Sequence, residues 1–261
     1  MAQSFRKTEI LEIARHDGRV VVEDLAERFG VTTQTIRRDL SDLANEGKLN
    51  RVHGGAIMPA GAENIRYSVR RVINEDAKAA IATLCAQEIP NNSSVLLSIG
   101  TSTEAVANAL LGHENLTILT NNLNVATIMS ANLSCQIIIT GGVLRPHDGG
   151  LVGDLTAQAI ERFKVEHAVI GTSALDLEGD LMDFDLQEVR VSRTIINLSK
   201  KTFLVTDSSK LERSAPVKVA SLSEIDAIFS DHLPVELKQQ CHEWGTDVFE
   251  TEGAKGYVQR Q

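Results

Sequence analysis

From residue 95 onward, seven short runs of apolar and β-branched residues recur, and they restrict the possible folds more than any other feature of the chain. They read VLLSIG (95–100), LTILT (116–120), CQIIITG (135–141), HAVIGT (167–172), TFLVTD (202–207), DAIFSD (226–231) and TDVFET (246–251). The runs are nearly continuous rather than alternating, so each strand must be covered on both faces. Segments long enough for a helix separate them, and strands alternating with helices build a parallel sheet. The fold class expected is α/β, with a mostly parallel, doubly wound sheet. A helix over 75–87, with Ala77, Ile81, Leu84 and Cys85 at helical spacing, leads into the first strand.

The runs share a second property, because each passes into small or polar residues at its end. These are Gly100-Thr101-Ser102-Thr103, Asn121-Asn122, Gly141-Gly142, Gly171-Thr172-Ser173 and Asp207-Ser208-Ser209-Lys210. In a parallel sheet all such ends lie along one edge, where open α/β sheets bind ligands. The first loop precedes EAVANALL, a good helix. Gly100 permits close backbone approach, the hydroxyls donate, and the helix N-terminus favours an anion. The spacing is neither a P-loop nor GxGxxG. A lone GTST is equally a capping motif; five loops on one edge point to a phosphorylated small molecule. Lys210 can reach an anion from its loop. Glu188 and Arg190, within 185–194, fit an ordinary solvated helix face as well as a ligand contact, and Asp148 with Gly149-Gly150 fits a turn.

Upstream the rhythm changes. Wound as a helix at about 100° per residue, Thr33–Asn45 places Ile36, Leu40 and Leu43 in one apolar stripe. Gln34, Arg38, Ser41 and Asn45 take the opposite side, flanked by Arg37 on one hand and by Thr35 and Asp42 on the other. Gln and Arg make bidentate hydrogen bonds to adenine and guanine edges. Residues 22–30 carry their own stripe (Val22, Leu25, Ala26, Phe29), and Gly30 supplies the turn of a helix-turn-helix. Thr32 and Thr33 provide the cap. After Gly47, residues 49–57 with Gly54-Gly55 read as a β-hairpin, a wing with Lys48, Arg51 and His53. A first helix over 5–16 (Phe5, Ile10, Leu11, Ile13, Ala14) and a β-like 19–22 complete a winged helix-turn-helix. Its expected contacts to double-stranded DNA are Thr33, Gln34, Thr35, Arg37, Arg38, Ser41, Lys48, Arg51 and His53.

TIRRDLSDLANEGKLNRVHGG resembles the winged helix of the DeoR family of bacterial transcription regulators. SIGTSTEAVANAL, LTNNLNVA, ITGGVLRPHDGGLVG and LVTDSSKLERSA resemble successive motifs of that family's effector domain, itself similar to sugar-phosphate isomerases. TNNLNVA, HDGGLVG and DFDLQEVR come closest to the repressors of glycerol-3-phosphate regulons. The resemblance implies a repressor relieved by a phosphorylated sugar or polyol, glycerol-3-phosphate first. It places the phosphate around 100–103 and 121–122, and the hydroxyls on Glu188 and Lys210. The chain departs from many family members in carrying Ser98 where they have Asp; Ser orients a ligand hydroxyl or a loop lysine only weakly.

The net charge of −9 is at odds with nucleic-acid binding until it is divided. Residues 1–57 hold nine basic and nine acidic side chains, so the acidity belongs entirely to the remainder and leaves only the head to approach phosphates. Three scattered cysteines give no disulfide framework, the histidines no ligand spacing, and no cofactor or metal is expected. With no apolar run of membrane-spanning length, a cytoplasmic protein is expected. The division expected is a head over 1–57, a linker over 58–74, an effector domain over 75–251 and a frayed tail over 252–261. Two half-sites one helical turn apart require a homodimer or homotetramer. The competing reading is an isomerase or amino-sugar deaminase, which needs a carboxylate base beside the sugar. The strand-end segment 171–175, where ribose-phosphate isomerases carry an acidic run, has none, which favours a sensor over an enzyme.

Overall fold

The structure, a computed structural model, describes residues 2–17, 19–52, 54–57 and 67–251, in two compact units divided between Val72 and Ile73. His53, residues 58–66 of the expected linker and the expected tail 252–261 lie outside the described residues.

The first unit runs α1 (Ala2–Asp17), β1 (Arg19–Val21), α2 (Val22–Phe29), α3 (Thr33–Asn45), β2 (Asn50–Val52), β3 (Gly55–Ile57) and α4 (Tyr67–Val72). Ile36, Leu40 and Leu43 of α3 are buried against Ile10 and Ala14 of α1 and Val22, Leu25 and Ala26 of α2. Gly30 closes α2 in the left-handed conformation at φ 62°, and Thr32 caps α3 by accepting the Thr35 amide at 3.2 Å. The wing is more than a hairpin. The β-like segment after α1 joins it, giving an antiparallel sheet in the order β1-β3-β2. Val21 pairs with Gly55 there, and a Cβ on Gly55 would lie 2.0 Å from the Val20 carbonyl oxygen. Part of the expected linker is α4, and the unit boundary falls inside the range expected for that linker.

In the second unit all seven apolar runs are strands: β4 (Ser94–Leu97), β5 (Thr117–Thr120), β6 (Gln136–Ile139), β9 (His167–Ile170), β12 (Lys201–Val205), β14 (Ala227–Ser230) and β15 (Asp247–Glu250). They form one sheet in the order β15-β14-β12-β9-β4-β5-β6, parallel throughout. One face is packed by α8 (Asp154–Ile160), α9 (Leu186–Leu198) and α10 (Val235–Trp244), through Ile160, Ile195 and Leu237. The other is packed by α5 (Glu75–Gln87), α6 (Thr101–Ala109) and α7 (Leu123–Met129), through Ile81, Val106 and Val125. The chain lays β4, β5 and β6 outward in one direction, then returns to place β9 on the far side of β4. The switch point of the sheet therefore lies between β4 and β9, where ligands of doubly wound folds bind.

Short strands that the sequence reading did not find complete the unit. β7 (Val143–Arg145) and β8 (Gly150–Val152) form an antiparallel hairpin. β10 (Ala174–Leu175), β11 (Asp180–Asp183) and β13 (Val217–Ser221) form a small antiparallel sheet. All three cysteines are free thiols; Cys85 and Cys241 are buried. Burial, partly offset by a backbone hydrogen bond, pushes the Cys241 thiol up to about 11. Among the described residues no helix is long and apolar enough to cross a membrane.

Candidate functional site

In the head, Gln34, Arg37, Arg38 and Ser41 are exposed on α3, and Thr33 and Thr35 are half-buried at its start. The two acids of the same helix are countered from α1. Arg6 Nε lies 2.5 Å from the buried Asp39 carboxylate, and Lys7 Nζ lies 2.7 Å from Asp42. That pairing neutralises the charges on α3 that would repel a phosphate backbone. Thr35 spends its hydroxyl on Thr32, 2.9 Å away. Arg51 Nη1 donates to the Arg37 carbonyl at 2.8 Å and to Ser41 Oγ at 2.9 Å, so this residue ties the wing to α3. Lys48 lies 2.7 Å from Glu46.

In the second unit the sheet order fixes the order of the loops along its C-terminal edge: 207–210, 171–173, 100–103, 121–122, then 141–142. At the centre, Gly100 precedes α6 with φ 139° and ψ 156°, a conformation that favours glycine. Thr103 is buried and turned inward, its Oγ1 2.8 Å from the Ser98 carbonyl and 2.7 Å from that of Gly100. It shapes the loop, leaving Thr101 and Ser102 as the half-buried hydroxyls of the first turn. The first amides of any α-helix lack an intrahelical acceptor.

Asn122 is likewise occupied. Its Oδ1 accepts the Asn124 amide at 2.9 Å as the cap of α7, and its Nδ2 donates to Glu104 Oε1 at 3.1 Å. Asn124 Nδ2 reaches the same Glu104 oxygen at 3.1 Å and the Asp148 carbonyl at 2.9 Å. Asn121 donates from Nδ2 to the Leu151 carbonyl at 3.0 Å, whereas its buried Oδ1 has no hydrogen-bond partner among the described residues.

The β7–β8 hairpin folds across these strand ends. Leu151 N donates to the Asn121 carbonyl at 2.7 Å, Leu123 N donates to the Gly149 carbonyl at 2.9 Å, and Asn122 bridges Gly150. Gly150 sits so near Ile99 that a Cβ there would lie 2.6 Å from its Cδ1. The hairpin delivers Arg145, which sequence reasoning missed. Its guanidinium meets Asp148 at 3.0 and 2.6 Å, Asp185 at 2.8 Å and Glu188 at 2.6 Å, with the arginine only 14% exposed. Burial alone would favour the uncharged arginine, but Asp148 and Glu188 outweigh it and hold the cation. Burial pushes the Asp148 carboxyl up, and Arg145 with the Gly150 amide more than reverses that. Glu188 is thus part of a fixed cluster and not a solvated helix face. Arg145 three residues before Asp148, next to two glycines, was the one sequence signal available.

The remaining loops divide in the same way. Thr172 Oγ1 donates to the carbonyls of Ala174 (2.7 Å) and Met182 (3.1 Å), and Ser173 Oγ donates to Asp183 Oδ2 at 3.0 Å. A carboxylate therefore stands beside this loop although 171–175 contains none. Its other oxygen accepts the amides of Phe184 and Asp185. The Gly141 carbonyl accepts Thr156 Oγ1 at 2.8 Å, and a Cβ on Gly142 would lie 1.9 Å from that hydroxyl, so this pair serves to seat α8. At the end of β12, Asp207 Oδ1 accepts Ser209 Oγ at 2.5 Å and Asn74 Nδ2 at 2.8 Å, beside the buried Lys210. Burial would raise the Asp207 pKa. The charge of Lys210, hydrogen bonds from Ser209 and Asn74, and the charge of Arg213 hold it below the usual carboxylate range instead.

A winged helix with an exposed Gln/Arg face, in one chain with an all-parallel sheet whose polar loops gather at its switch point, defines a transcription regulator carrying a small-molecule sensor. Residues 6–61 match the DeoR-like helix-turn-helix domain and residues 73–232 the DeoR C-terminal sensor domain. The chain belongs to the DeoR family of DNA-binding transcription regulators. It is 42% identical over 234 residues to the glycerol-3-phosphate regulon repressor of Escherichia coli (strain K12), covering 90% of this chain and 93% of that protein. The repressor of the same name in Haemophilus influenzae is 43% identical over 234 residues, covering 90% and 91%. Among solved structures it is similar to ribose 5-phosphate isomerase A from Methanocaldococcus jannaschii, with 12% identity and a TM-score of 0.39 over 53% of this chain and 55% of that one.

Proposed function

We propose that the chain is an operator-binding transcriptional repressor, acting as a homodimer or homotetramer, that a phosphorylated polyol releases from DNA. Glycerol-3-phosphate is the first candidate, on the strength of the regulons its relatives are named for. The observation that carries the sensor reading is the switch-point loop. Gly100 and the inward-turned Thr103 shape the N-terminus of α6 at the middle of the sheet edge, with Thr101 and Ser102 in its first turn. A phosphate would be received by the first-turn amides of α6 and those two hydroxyls, with Lys210 two loops away as the nearby cation. Asn121 Oδ1, without a partner among the described residues, and the Arg145-held Glu188 suit the polyol hydroxyls.

The same geometry favours sensing over catalysis. A general base works best with its pKa near the operating pH. Asp207 is held below even the ordinary carboxylate value, and Asp183 is occupied by Ser173 and two amides. Release requires that the inducer bind two arrangements of the protein with different affinity.

The test is fluorescence anisotropy on an operator fragment, titrated with glycerol-3-phosphate and a panel of phosphorylated sugars. One of these is expected to weaken operator binding at least tenfold at saturation. Operator affinity that no phosphorylated metabolite changes overturns the sensor reading.

A further inference from the structure

Between Glu114 and Arg145 lie thirty consecutive residues without a single Asp, Glu, Lys, Arg or His, in a chain of which 23% is charged. This stretch builds β5, α7, β6 and the start of β7, which together are one end of the seven-stranded sheet. β6 is the last strand of that sheet, and β5 is its one neighbour among the described residues.

The edge is open in its chemistry as well as its topology. The amides of Gln136 and Thr140 donate toward β5, to the carbonyls of Leu116 at 2.9 Å and Thr120 at 3.0 Å. Alternation along a parallel ladder then turns the N–H and C=O groups of Ile137 and Ile139 away from β5. Ile139 is 48% exposed, and apolar residues flank it along the chain: Leu133 at 96%, Val143 at 62% and Leu144 at 45%. Natural sheets guard such edges with lysine or proline, and this edge has neither. Depletion of charge is the compositional mark of the centre of an interface.

We propose that β6 pairs antiparallel with β6 of a second copy of this chain, joining two seven-stranded sheets across a two-fold axis. The occupant follows from charge and symmetry. The net charge of −9 lies wholly outside the head, so two effector domains repel through their charged surfaces, and this end offers contact without opposing like charges. A basic partner protein would find no acid here to recognise. Antiparallel pairing is self-complementary: Ile137 and Ile139 of one strand exchange hydrogen bonds with Ile139 and Ile137 of the other, with Ile138 on the axis. The inference rests on the repressor reading in one respect, that two heads are needed for two half-sites.

Sedimentation equilibrium on the full chain tests it, with Ile139→Lys and Val143→Glu as variants and Leu177→Lys, exposed in the β10–β11 turn, as the control. The parent and the control are expected at twice the chain mass or a multiple of it. Each edge variant is expected to raise the dissociation constant at least tenfold with an unchanged far-UV circular dichroism spectrum. Val143 is mostly exposed, so its variant keeps the test open should Ile139→Lys fail to fold. A monomeric parent, or a dimer indifferent to both edge variants, overturns the interface. An indifferent dimer that still binds operator leaves the repressor reading standing, whereas an intact β6 dimer that prefers no duplex counts against that reading alone.

Discussion

Arg38 and Arg51 have the same side chain and different work. Arg38 is exposed on α3, so Arg38→Ala is expected to weaken operator binding by roughly 1–3 kcal/mol with the melting temperature unmoved. Competition titrations against random duplex check this, and equal affinities would remove Arg38 from the reading face. Arg51 holds the wing to α3 through the Arg37 carbonyl and Ser41, so Arg51→Ala should lose stability of the head as well as affinity. Asp207 makes a prediction of the acid–base kind. Its folded pKa is depressed below the ordinary 3.8, so its contribution to stability is present above that value and lost as pH falls through the folded pKa. Melting temperatures between pH 3 and 7 should show a shallower acid decline in Asp207→Asn than in the parent. Parallel curves would mean that the Lys210 and Asn74 contacts do not stabilise the ionised form.

Among the elements, the seven strands were legible because nearly continuous apolar runs of five to seven residues leave few alternatives, and α3 because a 3.6-residue stripe does the same. β7, β8, β10 and β11, two to four residues long, have too little length for a period to show. The loops of the site were legible as loops, but the roles of their side chains were not. Thr103, Thr172, Ser173 and Asn122 are spent on carbonyls, carboxylates and amides brought near by tertiary structure, and nothing local in the sequence announces those partners. Arg145 was missed for the converse reason, since its partners Asp185 and Glu188 lie forty or more positions away. The wing supplies the sharpest test at this scale. Gly55→Ala drives a Cβ against the Val20 carbonyl, which is backbone and cannot rotate aside. Overpacking costs typically about 1–3 kcal/mol, and this clash belongs at the upper end. The expected result is a lowered melting transition for the head and loss of operator binding, with induced stabilisation by the phosphorylated ligand preserved. A head of parental stability would show that β1 and β3 can separate without cost.

For the whole molecule, charge and the proposed two-fold pairing together set the expected response of operator binding to salt. The head is balanced, and its cations near the reading face are Arg37, Arg38, Lys48 and Arg51. If all four neutralise phosphates, each head releases about four counterions, and the affinity of one head falls with salt at a logarithmic slope of about −3.6. Two heads on one duplex double that to about −7, a loss of several powers of ten between 50 and 200 mM salt. Lys48 is engaged by Glu46 and Arg51 by its own unit, so the measured slopes should lie at or below these values. The ratio is independent of how many of the four take part. Opening the β6 interface with Ile139→Lys should halve the slope and weaken operator binding by far more than twofold, because one head then binds where two did. Anisotropy titrations of parent and variant across that salt range give both slopes. Equal slopes would mean that two heads still act together without the β6 edge, and the sheets must then be joined somewhere else.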